Sequence, residues 1–364
     1  MKIAYKWHRR LGWMLAPLLA IQALGGAILL WMQPLPGPQE SPAPIEAWAQ
    51  AIDQGLAELA QRYPTAKFEY VNLPGKVGAP VSVRLLASES SESGWVDVDP
   101  LDGTAGVLKP DSSQARTVLY GLHERLLLGD AGIWVLRTVA VIALVLVFMG
   151  LRVWLRLHHQ PASTPLRRLH RLIGPVAILP VAIMLFTGFM LRSPEWTSAA
   201  LSAWSSPAPA KPADAAPPPS GPQTATLGQA LAAAATALPE ARPIRLYPPR
   251  NGQMRVRMRG DEWHPIGLNN VFVSTADASV LRVVRAAEQP LSVRYLNVVY
   301  PLHIGVMPDG AGLPGALVAR VLWTLLALAL TGLAVTGAVQ HFRNKAKAPT
   351  TARRPLECQQ GQPQ

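Results

Sequence analysis

Four stretches of the chain are apolar at nearly every position, roughly Gly12 to Met32, Ile133 to Leu155, Arg171 to Leu191 and Ala316 to Val339. Each holds the ~20 apolar residues that a helix needs to cross a hydrocarbon core about 30 Å thick. The pattern predicts a membrane α-helical protein, a four-span bundle. Arg137 and Arg320 bring charge near the ends of the second and fourth spans. The first span follows Lys2, Lys6, Arg9 and Arg10 as a signal peptide would. Its apolar part is long, however, and no small-x-small cleavage site follows at Gln33 to Gln39, so a retained anchor is expected.

Between the spans the period changes. In the first long connection, Ile45 to Tyr63 has helical spacing, Phe68 to Leu73 and Val81 to Ala87 alternate as strands, and a strand from Trp95 runs into a turn ending at Gly103. In the second, Leu227 to Leu238 is an alanine-rich helix, Ile244 to Tyr247 and Met254 to Met258 are strand candidates, and Val271 to Leu281 reads as strand, turn and strand. Two small α+β units are expected. Ser206 to Pro222, rich in Pro and Ala, is expected to be an extended linker. The chain thus divides into residues 1–32 (N-terminus and first span), 33–131 (first unit), 132–155 (second span), 156–170 (short loop), 171–191 (third span), 192–315 (linker and second unit), 316–340 (fourth span) and 341–364 (tail).

Composition agrees with this division, since the 364 residues are 49% hydrophobic and only 15% charged. The net charge of +12 is concentrated in short segments: Lys2 to Arg10, then Arg156, Arg167, Arg168 and Arg171, then Arg343, Lys345, Lys347, Arg353 and Arg354. All three fall on one side of the bundle, which the positive-inside bias makes the cytoplasm. Both termini are therefore expected in the cytoplasm of a bacterial inner membrane, with the long connections in the periplasm. The positive charge is accounted for by topology and anionic membrane lipid, and no nucleic-acid partner is expected. Neither long connection contains cysteine, and the single Cys358 lies in the tail.

An internal repeat organises the chain. His8-Arg9-Arg10-Leu11-Gly12 opens the first span and His170-Arg171-Leu172-Ile173-Gly174 the third. Tyr120-Gly121-Leu122-His123 precedes the second span and Tyr300-Pro301-Leu302-His303 the fourth. Each half holds two spans, so the halves are expected to be parallel repeats related by a pseudo-two-fold axis along the membrane normal. That axis would set His8 against His170 and His123 against His303. Two stacked histidine pairs are the layout of two bis-histidine haems, and the lack of Cys-x-x-Cys-His leaves haem b as the type. The bland alternative is that histidines beside arginine at span ends are polar anchors. Gly25, Gly26, Gly150, Gly188 and Gly332 would give a porphyrin or a neighbouring helix room to approach.

Arg137 and Arg320 are candidate partners of haem propionates, against snorkelling to lipid phosphate as the alternative. His159 and His341, roughly equivalent in the repeat, are lower-ranked candidate ligands, and His158 is grouped with them. His264 has no repeat partner and is expected to be exposed. Gly310-Ala311-Gly312-Leu313-Pro314-Gly315 fits a dinucleotide fingerprint in letters only, without a βαβ context. No Walker, His-Glu-x-x-His or Gly-x-Ser-x-Gly motif occurs, so electrons would have to come from quinol or a separate cytoplasmic reductase. One geometric difficulty stands against efficient transfer. His8 lies just before its span and His123 about ten residues before its own, which separates the pairs by most of the membrane unless these segments dip inward.

The His-Arg-x-x-Gly openings, the Tyr-x-Leu-His segments and Asp97-Val98-Asp99-Pro100-Leu101-Asp102-Gly103 together resemble the PepSY-associated transmembrane family, with PepSY-like units between the spans. The resemblance implies an iron-regulated inner-membrane protein similar to haem-containing reductases of ferric siderophores, with His8, His123, His170 and His303 as the haem ligands. The expected activity is one-electron reduction of a periplasmic ferric siderophore or chelate. In the second unit Val273-Ser274-Thr275-Ala276-Asp277-Ala278-Ser279 stands where the family has Asp-Pro-x-x-Gly. Two other classes compete: a non-redox PepSY binding or regulatory protein, and a component of an iron or siderophore permease.

Overall fold

A computed structural model describes residues 2–33, 45–74, 79–86, 92–204 and 224–346. The expected linker Ser206 to Pro222 and Cys358 lie outside them, as does most of Gln33 to Gln39. Four helices are long and apolar enough to cross a membrane: α1 (Lys2–Trp31), α4 (Gly129–Leu157), α5 (Pro165–Arg192) and α10 (Gly312–Ala346). Their outward residues, such as Phe148, Leu172, Val176 and Leu179, are exposed apolar side chains that suit lipid and not water. Inside, Ala16, Leu19, Ala143 and Ala334 form a narrow core whose small side chains let the helices approach closely. α1 packs on α10 and α4, and α5 packs on the same two, so α1 and α5 stand diagonally across the bundle.

These helices start earlier than the apolar stretches do. Helix α1 runs through the basic Lys2 to Arg10, and Thr164 caps α5 by accepting from the Arg167 N–H, with Pro165 preset in the first turn. His8 and His170 are therefore helical residues within their spanning helices, not part of segments leading up to them.

Between α1 and α4 come α2 (Ile45–Arg62), β1 (Lys67–Asn72), β2 (Val81–Leu86), β3 (Gly94–Val98), β4 (Lys109–Pro110) and α3 (Ala115–Arg125). Between α5 and α10 come α6 (Pro194–Trp204), α7 (Leu227–Ala237), β5 (Arg242–Arg250), β6 (Gln253–Arg259), β7 (Asn269–Ser274), β8 (Val280–Val284), α8 (Leu291–Arg294) and α9 (Leu296–Ile304). The periodic segments of the sequence coincide with α2, α7 and the strands to within a few residues. They do not make two separate units. The strands join in one antiparallel sheet ordered β4-β3-β2-β1-β5-β6-β7-β8, whose halves meet where Val71 pairs with Leu246 and Asn72 with Arg245.

Alternate residues of the strands, including Val83, Leu85, Val96, Leu246, Met254, Val256, Met258 and Val271, are buried with Leu59 and Leu231 in one core beneath α2 and α7. Each large apolar side chain there contributes about 1.5–3 kcal/mol by leaving water. Gly228 opens the close approach of the two helices: its N–H donates to Asp53 Oδ1 at 2.9 Å, and a Cβ there would stand 2.4 Å from the Ala49 carbonyl oxygen.

Candidate functional site

Helix α3 does not lead straight into α4. Leu126 (φ 54°), Leu127 (φ 58°) and Gly129 (φ 57°) reverse the chain in the left-handed region, and Gly132 is so tightly packed that a Cβ would fall 1.6 Å from the Arg125 carbonyl oxygen. The reversal lays α3 against both α1 and α4. Helix α9 ends in the same way at Gly305 (φ 67°), which faces Trp323 of α10, while the Trp323 indole donates to the Leu302 carbonyl at 3.0 Å. These turns carry His123 and His303 back onto the spanning helices.

The four histidines form two pairs. The His8 and His170 rings lie 6.3 Å apart between centroids, inclined at 73°. The His123 and His303 rings lie 6.3 Å apart, inclined at 43°. Each ring rests on a glycine: His8 on Gly150, His123 on Gly26, His303 on Gly188 and His170 on Gly337. A Cβ at these glycines would meet the ring Cε1 at 3.0, 3.1, 3.0 and 3.6 Å respectively. Gly332, expected to have this role in α10, has open space before it, and Gly337 five residues on performs it.

Hydrogen bonds fix three of the ring orientations. His8 Nδ1–H donates to the Leu146 carbonyl at 3.2 Å. The Thr336 hydroxyl spends its proton on the Gly332 carbonyl, so its oxygen accepts from His170 Nδ1–H at 2.9 Å. Thr187 does the same, donating to the Ile183 carbonyl and accepting from His303 Nδ1–H at 3.1 Å. Each of these rings is thereby held as the tautomer with a free Nε2 lone pair, the form that ligates a metal. Gly25 stands on α1 where α5 has Thr187, so His123 has no hydroxyl beside Nδ1 and only the Gln22 backbone acts on the ring. Burial, with the neighbouring His123, pushes His303 down to about 4. Burial also lowers His123, so both imidazoles of this pair are neutral.

The remaining candidates sit elsewhere. Arg137 does not stand free for a propionate. Its Nε donates to the Arg192 carbonyl at 2.6 Å, it pairs with Glu195 at 2.7 Å, and it stacks between Trp134 and Trp196. Arg320 is likewise engaged, donating to the Gln33 carbonyl at 2.8 Å beside the Trp31 ring. His158 and His159 are exposed at the end of α4. His341 is buried against Trp13 and, counted from Gly150 and Gly337, corresponds to Trp154 and not to His159. His264, expected to be exposed, is 4% exposed and stacks on Tyr300 at 4.6 Å. Thr187, Thr336 and Gly337 were missed by the sequence reading, as was Arg192, which pairs with Glu124 next to His123 at 2.6 Å. The Thr-Gly dipeptides at 187–188 and 336–337 were the available signal.

On α1, Gly26 lies 18 residues beyond His8, and on α5 Gly188 lies 18 beyond His170, a rise of about 27 Å in each case. The pairs are therefore at opposite ends of the bundle, and the second is on the side of the sheet.

Four long apolar helices carrying an antiparallel sheet at one end define a helical membrane protein. The family model described as the PepSY-associated TM region matches residues 5–344, and the chain belongs to that family. No curated protein matches it.

Proposed function

We propose that the protein is a di-haem b reductase of the bacterial inner membrane, built of two parallel repeats, that passes single electrons to a periplasmic ferric siderophore or chelate and so releases the iron. The observation that carries the reading is the recurrence of one ring spacing at both ends of the bundle. Two imidazole nitrogens each about 2 Å from a shared ion, with about 1 Å more to each ring centre, put the centroids about 6 Å apart. Both pairs have that spacing, 6.3 Å. Among the described residues no group of three or more His, Cys, Asp or Glu gathers as a bare metal ion would require. Two imidazoles alone suit an iron whose other positions are filled by a macrocycle.

On this reading haem supplies one-electron chemistry. The chain would supply the imidazole nitrogens of His8 with His170 and of His123 with His303 to hold it, the Nδ1 acceptors that orient them, and the glycines that leave room beside each ring. The basic residues from Lys2 to Arg10 set the first pair on the cytoplasmic side, where quinol or a cytoplasmic reductase is the donor. The sheet and the second pair then face the periplasm. Iron(II) is held far less firmly than iron(III) by hard oxygen ligands, so reduction frees it. The PepSY-like units are the two halves of the sheet.

The test is a reduced-minus-oxidised absorption spectrum with pyridine haemochrome quantification on the detergent-purified protein. Two b haems per chain are expected, falling to one in His303→Ala or His170→Ala. A colourless protein made with ample haem supply would overturn the reading.

A further inference from the structure

The sheet has a second face, opposite α2 and α7, and it is not apolar. Strand register places Trp95 opposite Arg84, Arg84 opposite Tyr70, Tyr247 opposite Arg255, Arg255 opposite Phe272 and Phe272 opposite Arg282. At the junction of the halves Tyr70 and Tyr247 lie 6.1 Å apart, and Arg245 sits 4.0 Å over the Tyr70 ring. Arg255 covers Tyr247 at 3.7 Å and Arg282 covers Phe272 at 4.2 Å. Arginine and aromatic rings thus alternate in a ladder from β3 to β8, with Arg84, Arg245, Arg255 and Arg282 each lying over a ring.

Charge along this ladder is uneven. At the β3 and β2 end, Arg84 is paired with Asp111 at 2.5 Å and with Glu69 at 3.6 Å, and Lys109 with Asp97 at 2.6 Å. On β5 to β8, Arg245, Arg255, Arg257 and Arg282 have no carboxylate partner among the described residues; Arg245 bonds only the neutral Asn72, at 2.7 Å. Arg257 Nε is buried with no hydrogen-bond partner among the described residues. Crowded cations of this kind repel one another and leave donors unsatisfied, which a multivalent anion would relieve.

The β6–β7 loop fastens this cationic half to α9: the His264 ring stacks on Tyr300 at 4.6 Å and the His264 N–H donates to Asn297. Arg245 and Arg257, with Arg116 of α3, act electrostatically on the Tyr300 phenol, one turn before His303 on α9.

We propose that this arginine-lined face of β5 and β6, fastened beside Tyr300 of α9, is the docking site for the iron substrate. The chelates it accepts carry net negative charge, with carboxylate or catecholate oxygens toward Arg245, Arg255 and Arg257. The proposal rests on the reductase reading for the identity of the ligand, but its test does not need haem.

Gallium(III) citrate, a redox-inert anionic chelate, and neutral gallium(III) tris(acetohydroxamate) are titrated calorimetrically into the full-length protein in nanodiscs of zwitterionic lipid. The anionic chelate should bind at least tenfold more tightly. Its affinity should fall with added salt and drop about tenfold or more in Arg257→Gln and in Arg255→Gln, while Arg257→Lys retains most of it. Unchanged far-UV circular dichroism and melting temperature certify the fold of each variant. Equal affinity for the two chelates, or wild-type affinity in folded glutamine variants, would overturn the proposal. Loss of binding in discs of anionic lipid would also overturn it, by assigning the arginines to lipid headgroups. Haem content is scored separately, so a haem-free protein that binds the chelate sinks the reductase reading and leaves the site standing.

Discussion

At the residue scale the arrangement rests on what holds each imidazole. Thr187 and Thr336 share one device: the hydroxyl proton is spent on a carbonyl of its own helix, and the oxygen is left to receive Nδ1–H of a histidine on another element. Thr187→Val keeps the shape and removes the hydroxyl acceptor, leaving the buried ring only the Met184 backbone, at a cost of up to about 1–3 kcal/mol. On the proposed function, haem affinity of the sheet-side pair should fall about 10–100-fold, as losses of such orienting partners do. Haem titration of the apoprotein measures this, and Thr187→Ser should restore most of it. His123 has no such acceptor, so substituting the Gly25 beside it cannot be read in the same way.

At the element scale the decisive piece is the reversal between α3 and α4. Two leucines held at positive φ cost roughly 1–3 kcal/mol each, a strain that the surrounding packing must offset. Gly132 lies at the tightest point of that packing. Gly132→Ala places a Cβ on the Arg125 carbonyl, and no rotamer change relieves a clash with backbone. The variant should lose about 3 kcal/mol or more, seen as a lower unfolding midpoint in detergent. His123 should separate from His303 while His8 and His170 stay paired; an equal loss of both pairs would show the reversal to be no local device. Gly228→Ala makes a separate test on the far side of the sheet. It should weaken the packing of α7 on α2 by about 1–3 kcal/mol and leave both histidine pairs intact, as the haem spectrum would report.

For the whole molecule the question is how the sheet is fastened over the bundle. The loop between β6 and β7 provides one clamp. The Trp263 indole donates to the Val306 carbonyl at 2.8 Å, the His264 N–H donates to Asn297 at 2.9 Å, and the His264 ring stacks on Tyr300. Burial, with Arg257 and Arg259 nearby, pushes His264 from 6.5 down to about 4. The folded chain then binds fewer protons than the unfolded chain between these values. The stabilisation is whole above pH 6.5 and is lost progressively as pH falls toward 4, by about 3 kcal/mol at most. His303 titrates in the same direction, so the share of the clamp is read by difference: His264→Phe should have a flatter fall of unfolding midpoint between pH 6.5 and 4 than the unchanged protein. Identical slopes would refute the assignment.

The spans, the strands and the paired recurrence of histidines were all legible in the sequence, because hydrophobic period and motif spacing are local properties. Phe68 to Leu73 could be read as a strand from its own alternation. That it joins β5, fusing two expected units into one sheet, depended on edge pairing between segments far apart in the chain. The same limit hid the seating of the rings. Gly150 and Gly337 are matched to His8 and His170 by contact across the bundle, so spacing favoured Gly332, one and a half turns away. For Arg137 and Arg320 the sequence offered haem propionates or lipid phosphate as partners, and tertiary structure supplied carbonyl, carboxylate and indole neighbours. The sequence by itself determined which residues repeat and which segments are apolar enough to leave water. Tertiary structure alone decided which repeated residues face each other, and at what distance, because that is set by where α3 and α9 fold back.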